Sequence, residues 1–208
     1  MDHTLICKKG GYVSMRHNAL RDLNAELQKE VCKDVVVEPK LLPLETDTII
    51  DGTDKDGAGP DISSRGIWST FQRTFFDVCV LHPNSPSYLS SSITALYNIH
   101  EKKKMRKYGP RIMTVEKGSF TPLIYTTTGG WGPQATAYLK RISTLIANKR
   151  NEDYHHVIRH IRTRMRFALL KSVLVAVRGE RGKKQGTAQS VSSVTFNLVP
   201  NAMHYESP

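Results

Sequence analysis

The sequence predicts an α/β fold, one central sheet flanked by helices. Three observations predict it. Helical apolar patterns and β-branched or aromatic runs follow one another in the order helix, strands, helix, strands, helices. The most apolar run, TFFDVCVL at 74–81, has strand composition. The chain has 208 residues, 39% of them hydrophobic. A chain of that length buries roughly 70% of its unfolded surface without disulfide staples.

Residues 1–15 contain glycine and read as irregular. Residues 16–32 form a helix, because Leu20, Leu23, Leu27 and Val31 recur every three or four positions. Val35, Val36 and Val37 make a short strand stopped by Pro39. Residues 45–60 are a polar loop rich in Asp and Gly. Strands are expected at 61–68 and 73–81, joined near Ser69 as an antiparallel hairpin. The segment PNSPSYLSSS is a loop that offers serine N-caps. A helix over 93–108 carries Ile93, Leu96, Tyr97, His100, Lys104 and Tyr108 on one stripe, and Gly109-Pro110 ends it. Strands follow near 111–116 and 120–127. Gly129-Gly130-Trp131-Gly132 is a turn into a helix with Pro133 at its first position. Helices at 134–148 and 153–177 complete the body. A basic, Ser-rich tail then holds one strand candidate at 194–199. No internal repeat is present.

Composition excludes several classes. No run approaches the ~20 apolar residues of a membrane span. The start, MDHTLICKKGG, lacks the pattern of a signal peptide. Three cysteines form no disulfide framework. The expectation is an intracellular protein, nuclear or cytoplasmic, with no membrane association. The net charge is +11. Residues 1–99 hold 10 basic and 13 acidic side chains, a net of −3; residues 100–208 hold 20 and 6, a net of +14. So basic a second half points to a polyanion, most often nucleic acid, against the plainer reading of an inert basic surface.

Four constellations carry chemistry. In a hairpin turning near Ser69, Asp61 and Asp77 face each other with Cβ atoms ~5 Å apart. Bare, they would repel by about 3 kcal/mol at an effective dielectric near 20. A divalent cation between them relieves this, and magnesium takes one or two carboxylates plus waters and phosphate oxygens. The plainer reading makes both loop or edge charges, but Asp77 lies between Phe76 and Val78 in the most apolar strand. Second, the run HEKKKMRKY puts Lys104 on the stripe of Tyr97, His100 and Tyr108, while Lys103, Arg106 and Lys107 face elsewhere. Third, helix 153–177 carries Val157, Ile161, Met165, Ala168, Leu169 and Val173 as its core stripe. Arg159, Arg162 and Arg166 form a second stripe, suited to a phosphate backbone or simply solvated. Lys107 and Arg111 are further nucleic-acid candidates. Fourth, His3 and Cys7 have the spacing of half a zinc knuckle and lack a second ligand pair, so zinc is not expected. The glycine turn before Pro133 matches no dinucleotide or P-loop fingerprint; a plain turn is preferred to a phosphate cradle.

The strings CKKGGYVSMRHNALRDLNAELQKEVCKDVVVEP, PDI, FFDVCVLHPNSPS and HEKKKMRKYGPRIMTVEKGSFTPLIYTTTGG occur in that order. They resemble the restriction-like endonuclease domain at the C-terminus of non-long-terminal-repeat retrotransposon polyproteins, of the PD-(D/E)XK superfamily. The resemblance covers about residues 1–184. It implies a restriction-endonuclease-like fold, a central mixed sheet flanked by helices, and magnesium-dependent cleavage of DNA phosphodiester bonds at an insertion target. Pro60-Asp61 then matches the PD element and Asp77 the second carboxylate. Cys79 stands where the superfamily carries its lysine, so Lys104, with Lys103 as second choice, takes that role. Glu30 matches a further acidic position on the first helix. Arg16 and His17 match an RHN element that contacts phosphate or anchors the helix. The implied division is 1–10 as a zinc-knuckle remnant, 11–178 as the nuclease-like domain and 179–208 as basic linker and tail. DNA is the expected partner, with RNA reached through upstream domains. The alternative is an inactive nucleic-acid-binding fragment or relic.

Overall fold

The computed structural model describes Ile6 and residues 11–42 and 59–181. Most of the acidic loop, the His3 and Cys7 pair, and the 194–199 strand candidate lie outside the described residues. The elements in chain order are α1 (Tyr12–Val31), β1 (Lys33–Val37), β2 (Ile62–Arg65), β3 (Arg73–Leu81), a 3-10 turn (Pro86–Tyr88), α2 (Ile93–Thr114), β4 (Ser119–Thr126), α3 (Pro133–Arg150) and α4 (Tyr154–Arg181). Four strands form one mixed sheet in the order β1-β2-β3-β4. β1, β2 and β3 are successively antiparallel, whereas β3 and β4 are parallel. Parallel neighbours need a crossover, and α2 supplies it.

Alternation along β3 sorts the two faces of the sheet. Phe76 and Val78, with Ile62, Leu123 and Tyr125, join the large core beneath α1, α3 and α4. Phe75, Cys79 and Leu81 turn to the other face, which α2 covers. α4 packs on α1 and α3 rather than on the strands, so it forms a third layer. Its buried stripe is Val157, Ile158, Ile161, Met165, Leu169 and Ala176. Arg159, Arg162 and Arg166 are exposed on its outer side.

Several boundaries differ from the sequence reading: α1 begins at Tyr12, inside the stretch read as irregular, and α4 runs to Arg181 rather than 177. β2 ends at Arg65 rather than 68, because Gly66 takes φ +106°, a left-handed conformation that turns the chain out of the ladder. Ile67 then plugs into the core with no exposed surface. More consequentially, Gly109-Pro110 does not stop α2, and the expected strand at 111–116 does not form: the helix runs on to Thr114. Tyr108 and Ile112, one turn apart, both bury against Phe75 and Phe120, and that packing carries the helix past the proline. Glycine before proline removes the Cβ that would otherwise oppose helix there. Elsewhere the local signals act as expected. Ser92 caps α2 by accepting from Ala95 N at 3.2 Å, and Pro133 opens α3.

The outer rim of β4 is occupied. Gly132 N donates to Ile124 O at 2.8 Å and Thr126 N to Gly130 O at 3.0 Å. Pro122, in the same phase as Ile124 and Thr126, faces away from β3 and so costs the ladder no bond.

Candidate metal and phosphoryl-transfer site

The register of β2 on β3 pairs Ile62 with Phe76 and Ser63 with Phe75. Continued by one residue, it sets Asp61 opposite Asp77, as the hairpin spacing predicts. Asp61 N donates to Phe76 O at 2.8 Å, and Asp61 O accepts from Glu38 N at 2.8 Å. The next β3 amide that points towards β2 belongs to Val78. It finds the Asp61 side chain, with Oδ2 at 2.5 Å. The carboxylate therefore closes the end of the ladder, just after a proline that has no N–H to give. Its other oxygen, Oδ1, lies 2.9 Å from His17 Nε2 on α1.

Asp77 is 3% exposed. It lies on the α2 face, between the cluster of Phe75, Tyr108, Ile112 and Phe120 and the cluster of Leu81, Leu96, Tyr97 and Ile124. Lys104 enters that gap from α2. Its Nζ donates to Asp77 Oδ1 at 3.0 Å and stands 2.8 Å from Oδ2. Its stem passes Tyr108, with Nζ 5.7 Å from the ring centre. This is the inward orientation that helix phase assigns to Lys104. Burial raises the Asp77 pKa to about 6; the Lys104 ammonium opposes that rise and the neighbouring Asp61 charge adds to it. For Lys104, burial alone would lower the pKa, but the Asp77 charge and hydrogen bond outweigh it and the net shift is upward. His17 shifts upward too, chiefly through its hydrogen bond to Asp61. Burial pushes the Cys79 thiol up to about 11, so at neutral pH it carries no charge.

The structure thus brings Asp61, Asp77, Lys104 and His17 together from four elements or their ends. It does not bring Glu30 to them. Glu30 lies 13 residues beyond His17, roughly 20 Å along α1, and pairs with Arg150 Nη2 at 2.8 Å. Lys103 is exposed on the outer side of α2. Lys107 is exposed with its ammonium 5.1 Å from the Tyr108 ring centre. Arg111 donates to Leu42 O at 2.9 Å, a tie between segments rather than an open contact. Arg16 is 4% exposed, which lowers its pKa and fits helix anchoring better than phosphate contact. The glycine turn before α3 is filled from within: Glu101 Oε1 accepts from Gln134 N at 2.9 Å, where a phosphate would sit. The role of His17 beside Asp61 had a sequence signal. It stands three residues before Leu20, on the stripe that faces the sheet.

A divalent cation fits the donor set. Asp77 Oδ2 is buried and accepts no hydrogen bond, although the Lys104 ammonium is near. A second carboxylate, Asp61 at the entry to β2, lies near enough for its charge to act on Asp77. Magnesium asks for few protein ligands and otherwise takes waters and phosphate oxygens. Among the described residues, no three His, Cys, Asp or Glu side chains converge to hold a metal by themselves. Among them, too, no helix is long and apolar enough to cross a membrane. No family model matches the chain, and no curated protein matches it significantly.

Proposed function

We propose that the chain is a magnesium-dependent DNA endonuclease domain that hydrolyses phosphodiester bonds, as the resemblance to retrotransposon endonucleases implies. The observation that carries the reading is the pair of buried Asp77 with half-buried Lys104, across the register from Asp61 in a sheet flanked by helices. Asp61 and Asp77 would hold the cation, which when bound supplies a Lewis acid at the scissile phosphate. Lys104 has three N–H donors and uses one on Asp77 Oδ1. Another can meet charge that develops on a phosphoryl oxygen. Cys79 cannot do this, because it stays a neutral thiol. Lys102, Lys103, Arg106 and Lys107, all exposed on α2, supply a positive field for the DNA backbone.

The second reading, nucleic-acid binding without hydrolysis, draws on the same ion pair, since a lysine bonded to one Asp77 oxygen and 2.8 Å from the other can be purely structural. Supercoiled plasmid separates the two. Incubated with the purified chain, it should be nicked or linearised with magnesium and stay intact with EDTA. The Asp77→Asn chain should bind the plasmid and leave it uncut. Binding without any magnesium-dependent cutting by the wild-type chain would establish the second reading instead.

A further inference from the structure

Asp61 stands at a strand end, where a short side chain would normally rotate freely about its last torsion. Here both of its oxygens are engaged, from different elements. Val78 N on β3 donates to Oδ2 at 2.5 Å and His17 on α1 lies 2.9 Å from Oδ1. An ionised carboxylate can only accept, so His17 Nε2 carries the hydrogen. α1 is well anchored at this point: Leu20 is fully buried one turn on, and neighbouring Arg16 is 4% exposed. The histidine side chain itself is 30% exposed.

We propose that His17 is a positioning residue for Asp61: its Nε2–H fixes the plane of the carboxylate so that the remaining lone pairs face Asp77 and a divalent cation. This goes beyond the role that the sequence resemblance gives it, phosphate contact or helix anchoring, and it rests on the metal reading above. A partner that orients a metal-binding carboxylate characteristically changes metal affinity by 10–100-fold when removed.

The test measures Mn2+ binding to the full chain by calorimetry and by the loss of the free-ion electron paramagnetic signal. It compares wild type, His17→Ala and His17→Gln. The glutamine amide can donate from nearly the same place. His17→Ala should weaken Mn2+ binding roughly 10–100-fold, with DNA affinity in EDTA unchanged, and His17→Gln should recover most of the loss. In the metal-free chain, His17→Ala should also shift the Val78 amide resonance, because the carboxylate it donates to loses its second restraint.

Equal Mn2+ affinity in wild type and His17→Ala would overturn the proposal. So would a glutamine variant as weak as alanine, which would make the imidazole itself a ligand. An unmoved Val78 resonance would overturn it without reference to metal. Absence of Mn2+ binding by the wild-type chain would instead sink the metal reading, while the resonance still decides whether His17 orients Asp61.

Discussion

The two faces of β3 are built to different ends. On one, Phe76 and Val78 enter a continuous core with α1 and α3, and Phe76 meets Tyr138 with ring centres 5.3 Å apart. On the other, the apolar contact with α2 is divided in two, and the division is the Asp77–Lys104 pair. A hydrophobic pair of similar volume there would join the two clusters and would often be as stable or more so. The strand thus concentrates stability on one face and accepts a cost on the face where charge can act.

The largest expected effect tests the first face. Phe76→Ala should cost about 3–5 kcal/mol, the range for deleting a buried aromatic. Urea titration followed by far-ultraviolet dichroism measures it, and a loss below 1 kcal/mol would mean the core is not continuous. Next comes Lys104. Lys104→Ala should slow cleavage by about 10²–10³ at saturating magnesium, the scale of losing one transition-state donor. DNA affinity should barely change, and Lys107→Ala should cut at nearly the wild-type rate. Equal slowing by both lysines would reduce α2 to a basic surface.

A smaller effect concerns pH. The folded-state pKa of Asp77, about 6, exceeds its ordinary value of 3.8. Its contribution is therefore fully present below pH 4 and is lost as pH rises through 6. His17, also raised, acts in the same direction, above its ordinary 6.5. Stability should fall by on the order of 2 kcal/mol between pH 4 and 7 from the Asp77 shift. Thermal melts of Asp77→Asn against wild type read it, and parallel curves would show that Asp77 is not the source. The smallest effect is on α4. Neutralising Arg159, Arg162 and Arg166 together should flatten the salt dependence of DNA binding by roughly 2–3 units. An unchanged slope would leave that stripe as solvated surface on the third layer.

Much of this is legible in the sequence. One turn position fixes an antiparallel register, and so the pairing of Asp61 with Asp77 follows from placing the bend near Ser69. Helix phase alone turns Lys104 inward. Pro110 reads as a helix stop by local chemistry alone, and the burial of Tyr108 and Ile112 on either side of it overrides that signal. Glu30 fits the resemblance, but about 20 Å along the helix axis separates it from His17. The third-layer position of α4 has no local signal: its inner stripe looks the same whether it packs on strands or on helices.

The rim of β4 has a consequence for how the molecule meets its own copies at high concentration. An unpaired strand edge is a template on which a second chain can extend the sheet. β4 offers no such template along this stretch. Pro122 has no hydrogen to donate, and the outward carbonyl of Ile124 and both backbone groups of Thr126 are spent on the turn that leads into α3. The strand buried on both faces, which would be the stickiest if its edge were open, is therefore blocked over its C-terminal half. Among the described strands, the other edge of the sheet is β1, whose five residues are largely exposed and begin with Lys33 and Asp34, a short charged edge that pairs poorly.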